Sequence, residues 1–144
     1  MKFLLDTNAV SELGRPHPNS GLLAWHDEVG EAAESQEAVF LSVLLIGEMD
    51  RGILKLPDGP KRRLLTTQRD AILAEYGTRI LPIDLAVGRQ WGAVTARHRA
   101  LGLSINAVDE LIAATALVHD LTVVTRNVRH FERSGCKLIS PWSA

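Results

Sequence analysis

NAVDELIAATALVHDLTVVTRN, running from Asn106 to Asn127, is the stretch that decides the fold. Val108, Leu111, Ile112, Thr115 and Val118 recur at helical spacing, so a helix beginning at Asn106 turns these side chains inward. The small-residue run Ala113-Ala114-Thr115-Ala116 lets that helix approach a neighbouring layer closely. His119 closes the helix, where a basic group suits the dipole. Leu121–Thr125 follows as the clearest buried strand of the chain. Thr125-Arg126-Asn127 then places polar groups just past its carboxyl end.

The same alternation extends outward from this unit. Lys2–Leu5 is an apolar run of strand length, and Asp6-Thr7-Asn8 supplies the turn that starts a short helix to about Gly14. Leu22, Trp25, His26, Val29 and Ala33 repeat at helical spacing from about Ser20. Ala38–Ser42 reads as a second strand, and about Val43–Leu56 as a helix stopped by Pro57-Asp58-Gly59. Pro60 opens a basic helix running to about Tyr76. Arg79–Ile83 is a short third strand that Pro82 ends or confines to an edge. Val87, Trp91, Val94, His98 and Leu101 make the buried stripe of a further helix, capped by Gly102. Lys137–Ile139 is the last strand.

Short apolar strands alternating with helices predict an α/β sandwich, a short and mainly parallel central sheet flanked by helices. No repeat or linker interrupts it, so residues 1–144 read as one domain. Ligands of such sheets bind beyond the carboxyl ends of strands, where connections diverge. Asp6 and Thr125–Asn127 follow the first and fourth strands, and pairing of those strands is expected to join them.

Bulk composition narrows the function classes. Hydrophobic residues at 46% and charged residues at 23% describe an ordinary globular protein. A single cysteine, Cys136, precludes an intramolecular disulfide and fits a reducing compartment. MKFLLD is too short an apolar run for a secretory signal, and nothing approaches the roughly 20 apolar residues of a membrane span. A cytoplasmic protein with no membrane partner is expected. The net charge of −1 argues against nucleic-acid binding by overall basicity. Arg51, Lys55, Lys61, Arg62 and Arg63 nevertheless cluster, as do Arg97, Arg99, Arg126, Arg129 and Arg133.

Four polar positions carry the functional signal, and each has a plain structural reading beside it. Asp6 either caps the next helix or binds a cation. Glu48 lies three residues after Leu45 and four after Leu44, on the apolar side of its helix, where it needs an arginine or a cation as partner. Asp109, in the first turn of its helix, gains about 0.3–1 kcal/mol from the helix dipole. Asn127 stabilises a turn or serves as a neutral ligand or water holder. Together they weigh more. Carboxylates converging to ~4 Å repel by about 4 kcal/mol per pair at an effective dielectric of ~20, so the cluster calls for a cation. An all-oxygen donor set suits Mg²⁺ or Mn²⁺ over zinc, and such a site hydrolyses phosphodiesters.

Other chemistry finds less support. The five histidines lack metal-ligand spacing, and His26 and His98 fall on core stripes. Cys136 has no partner base and reads as filler before the last strand. No Gly-x-Gly-x-x-Gly or Walker-type loop follows the first strand, and no Ser–His–Asp arrangement is legible. Hydroxyls at Thr7, Ser11 and Thr125 are placed to hold substrate phosphate or a carboxylate. A phosphatase using an acidic strand end would want Asp-x-Asp, which Asp6-Thr7-Asn8 lacks.

Over essentially its whole length the chain resembles PIN-domain ribonucleases of the VapC/FitB-like toxin group. The resemblance rests on LLDTNAVSEL-GRPHP, LSVLLIGEMDRGILKLP, RILPID, DELIAATALVHDLTVVTRNVRHF and the terminal SPW. Asp6, Glu48 and Asp109 match the three acidic residues of the family site. The fourth acidic position falls on Asn127, where many relatives have Asp and others Asn, which weakens any second metal site. The resemblance implies a Rossmann-like PIN sandwich acting as a Mg²⁺-dependent endoribonuclease toxin. Asp6, Asp109 and Glu48 would ligate the metal and Asn127 would complete the catalytic set. Thr7, Thr125 and Arg126 would meet the RNA, with the Arg51–Arg63 run a further candidate. It also implies a homodimer and a cognate VapB-like antitoxin in a higher assembly. That partner's tail covers the active groove, and its own domains bind DNA. The alternative is a catalytically weak PIN-fold binding module acting with a DNA-binding antitoxin in autoregulation.

Overall fold

Leu4 and Leu5 are almost wholly buried because the strand that carries them, β1 (Phe3–Leu5), is the middle strand of a five-stranded sheet. The computed structural model describes residues 1–31 and 38–144. β1 is followed by α1 (Thr7–Leu13), α2 (Ser20–Glu31), β2 (Val39–Ser42), α3 (Val43–Leu54) and α4 (Pro60–Tyr76). A 3₁₀ turn over Gly77–Arg79 leads to β3 (Ile80–Leu81). Next come α5 (Leu85–Ala100), α6 (Ala107–His119), β4 (Thr122–Val124), α7 (Val128–Phe131) and β5 (Lys137–Ile139). The strand order is β3-β2-β1-β4-β5, and every pairing is parallel. The expected α/β architecture is present, with a sheet that is parallel throughout.

Alternation along each strand splits the core between the two sheet faces. Phe3, Leu5, Val39, Leu41 and Val124 meet Ala9, Leu22 and Leu45 on one face. The Trp25 ring packs edge-on against Phe3 there, at 5.0 Å between centroids. Leu4 and Val123 point the other way, onto Ile112, Ala113, Ala116 and Phe131. Ala113 and Ala116 of α6 face the sheet, as their size suggested. Ala114 lies under α5 with Val87 and Val94, so α5 is an outer layer on α6.

Several expectations shift at the edges. The third strand shortens to Ile80–Leu81 because the 3₁₀ turn takes Arg79 and Pro82 has no N–H to extend the ladder. Leu101, expected on the buried stripe of α5, is 50% exposed, since the helix ends at Ala100 and turns away through Gly102 at φ +71°. The His26 side chain is 38% exposed and is not a core residue. Ala33, expected on the stripe of α2, lies outside the described residues. Cys136 does pack, half-buried, against the cluster around Phe131, and burial pushes its thiol up. Among the described residues no helix is long and apolar enough to cross a membrane.

Candidate active site

The central pairing of the sheet builds the site. β1 and β4 run side by side with Leu5 opposite Val124, so the next residue of each strand emerges at the same edge. The Asp6 amide donates to the Val124 carbonyl at 3.2 Å, which extends the ladder to the carboxylate-bearing residue. β1 then connects toward β2 and β4 toward β5, on opposite sides. Such divergence opens a crevice at the carboxyl ends of the two strands. The expected pairing of first and fourth strands is therefore observed, and it brings Asp6 and Thr125 into contact.

Asp6 is 3% exposed and fully engaged. Its Oδ1 accepts the Ala9 backbone N–H at 2.9 Å as the N-cap of α1, and its Oδ2 accepts the Thr125 hydroxyl at 2.5 Å. The capping reading of this residue is observed. Burial pushes its carboxyl above the usual 3.8, the Thr125 and Ala9 donors pull it back, and the charge of Asp109 pushes it up again. That last influence reports that Asp6 and Asp109 share one electrostatic neighbourhood.

Asp109 is held from two sides. Asn106 caps α6, accepting the Asp109 backbone N–H at 2.9 Å and donating from Nδ2 to Asp109 Oδ2 at 2.9 Å. The His130 ring, on α7, reaches the same Oδ2 through Nδ1 at 2.6 Å. Glu48 Oε1 accepts the Thr7 hydroxyl at 2.7 Å, which ties α3 to the first residue of α1. Among the described residues Glu48 has no arginine partner, so the ion-pair reading of its position is not realised.

The hydroxyls of Thr7 and Thr125 are thus committed to carboxylates, the second of the two roles their positions suggested. Thr125 Oγ1 also accepts the Asn127 backbone N–H at 2.9 Å, which bends the chain after β4. The Asn127 side chain makes no cap hydrogen bond at the start of α7, and Arg126 is exposed. Of the basic run, Arg62 donates to the Leu56 carbonyl at 3.2 Å, while Arg51, Lys55, Lys61 and Arg63 are exposed.

The oxygen-only donor set of Asp6, Glu48 and Asp109 fits a hard divalent cation. Among the described residues no three acidic, histidine or cysteine side chains form a ready metal cage. Mg²⁺ does not require one, since it retains several waters and binds through one or two carboxylates plus phosphate. The carboxylates of Asp6 and Asp109 are oxygen donors of the kind such an ion takes, and a cation would offset the cost of burying the Asp6 charge.

Beside the site, α1, α3 and α4 enclose an apolar groove of about 580 Å³. Val10, Leu45, Met49, Ile53, Leu65 and Ile72 line it. Sequence reading did not find this groove, nor the roles of Asn106, His130 and Glu110. Glu110 is 6% exposed and bonds His98 Nδ1 of α5 at 2.8 Å, clamping α5 to α6 directly behind Asp109. A histidine on the buried stripe of α5 was the available hint of that clamp.

The sequence pattern of the PIN domain matches residues 3–135. The VapC ribonuclease Y4jK of Sinorhizobium fredii is 34% identical, over 97% of each chain. Toxin FitB of Neisseria gonorrhoeae is 36% identical, over 97% of this chain and 98% of its own. The solved structure of FitAB bound to an IR36 DNA fragment superposes with a TM-score of 0.88 at 35% identity, covering 99% of this chain and 96% of that one.

Proposed function

The chain belongs to the PIN-domain family, and we propose that it acts over residues 1–144 as the toxin of a type II toxin–antitoxin pair, a Mg²⁺-dependent endoribonuclease of the cytoplasm. The observation that carries this reading is the β1–β4 crevice. It holds Asp6 buried, bonded to Thr125 and within the field of Asp109. Similarity to the ribonuclease Y4jK and to toxin FitB supports RNA hydrolysis by a toxin.

Asp6 and Asp109 would hold the ion, with Glu48 completing its shell or orienting the attacking water. When bound, the ion promotes ionisation of water and stabilises charge developing on the phosphate and the leaving oxygen. Thr125 and Thr7 fix the carboxylates of Asp6 and Glu48 by hydrogen bonds rather than gripping substrate. Asn127, one charge short of a fourth acid, holds a water or a phosphate oxygen. Exposed Arg126, just beyond β4, meets the RNA backbone.

The partner is a VapB-like antitoxin whose tail seats apolar side chains in the groove among α1, α3 and α4 and covers the crevice. DNA is reached only through that partner, in a higher assembly of toxin homodimers. Likeness to the structure of FitAB bound to a DNA fragment supports a DNA-bound complex with such a partner.

The test is cleavage of cellular RNA by purified protein, with 5′ ends mapped, beside Asp6→Asn and Asp109→Asn. Either substitution is expected to lower cleavage by about 100-fold or more while circular dichroism is unchanged, since even outer-shell changes at metal sites cost 10–100-fold. Full turnover by well-folded Asp109→Asn would overturn the assignment.

A further inference from the structure

The segment Thr125–His130 touches the carboxylates of both Asp6 and Asp109. Thr125 at its start donates to Asp6 Oδ2, and His130 at its end bonds Asp109 Oδ2. The segment is well anchored between these points. The Asn127 N–H bonds Thr125 Oγ1, the His130 N–H bonds the Asn127 carbonyl at 3.0 Å, and Phe131 is fully buried against α6. Burial of Phe131 fixes the backbone that carries His130, whose side chain is 44% exposed and bonds Asp109.

An ionised carboxylate only accepts hydrogen bonds, so His130 Nδ1 carries the proton in this contact. Asn106 Nδ2 and His130 Nδ1 both address Oδ2, while among the described residues no side chain addresses Oδ1. Two donors on one oxygen fix the plane of the carboxylate and leave the other oxygen for an outside partner.

We propose that His130 is a positioning residue for the metal centre, donating from Nδ1 to Asp109 Oδ2 so that Oδ1 is presented to the cation. The inference rests on the nuclease reading given above. Asn106 would still hold Asp109 in its absence, so loss of the ring loosens the site without abolishing it. Outer-shell partners of this kind are worth about 10–100-fold in metal affinity.

Calorimetric titration with Mg²⁺ of the wild-type chain, His130→Ala, His130→Asn and Asp109→Asn tests it. Asparagine places an amide N–H near the position of Nδ1, so it keeps the donor and discards the ring. His130→Ala is expected to weaken Mg²⁺ binding by about 10–100-fold, and His130→Asn to recover most of that loss. Thermal melts in EDTA should be alike for both, given the exposure of the ring. Wild-type affinity in His130→Ala, with binding lost in Asp109→Asn, would sink the role of His130 and leave the nuclease reading standing. Equal weakening by Ala and Asn would sink it too, because the donor would not be the agent. Undiminished binding by Asp109→Asn would overturn the metal centre itself.

Discussion

At the scale of single residues, Asp6 has two demands on one carboxylate. It caps α1 and it is the buried anion of the crevice. Burial raises its carboxyl above 3.8, so without a metal the folded chain holds this proton more tightly than the unfolded one. That contribution to stability is fully present below the ordinary carboxylate value and is lost as pH rises through the raised one. Asp6→Asn keeps a capping oxygen and has no charge to bury. In EDTA at pH 7 the variant should therefore melt above wild type, with the gap closing as pH falls below about 4. Millimolar Mg²⁺ should raise the wild-type melt alone. An Asn variant that melts lower than wild type in EDTA at pH 7 would refute this account. Thr125→Val is the complementary change. It strands Asp6 Oδ2 and the Asn127 N–H, both now bonded to the hydroxyl, and should cost about 1–3 kcal/mol in urea unfolding despite its nearly equal shape.

Elements show where reading from sequence succeeded and where it stopped. The helices around Asp6, Glu48 and Asp109 were legible because each joins a local polar signal to an apolar stripe. Glu110 was not, since nothing in its local sequence marks it as a buried acid. Its burial depends on His98, which sits twelve residues earlier on another helix. His130 was hidden for the same reason, its partner being 21 residues away across a strand. The His98–Glu110 contact predicts strong coupling between α5 and α6. Glu110→Ala leaves a buried ring nitrogen without its hydrogen-bond partner and should cost about 1–3 kcal/mol. The paired change His98→Leu with Glu110→Met fills the space with apolar atoms and should recover most of that loss, as such replacements of buried pairs often do. Urea unfolding checks both figures, and in the cycle of His98→Leu, Glu110→Met and the paired change, additive losses would show that the pair is not coupled.

For the whole molecule, parallel order was foreseeable from uniformly apolar strands, whereas the closing of the chain on itself was not. The C-terminal residues return to the start of α2, where Asn19 Oδ1 accepts N–H groups from Gly21, Leu22 and Ser143. Trp142 packs against the cluster around Phe3 and Leu22, so this return completes one face of the core. Gly21 permits the approach. A Cβ there would lie 2.5 Å from both the Pro141 carbonyl oxygen and the Ser143 nitrogen, two backbone atoms that move only if the tail moves. Gly21→Ala should therefore lift the tail and destabilise the fold by about 1–3 kcal/mol, the usual range for overpacking. Deleting Pro141–Ala144 removes the same contacts directly. Because both changes act through one interface, their combination should cost no more than the deletion alone, and urea midpoints of the three proteins measure this. In the truncated chain the alanine meets no tail, and its clash disappears. If the two losses simply add, Gly21 is acting on α2 by itself, and the tail is not the strap that holds this face of the sheet.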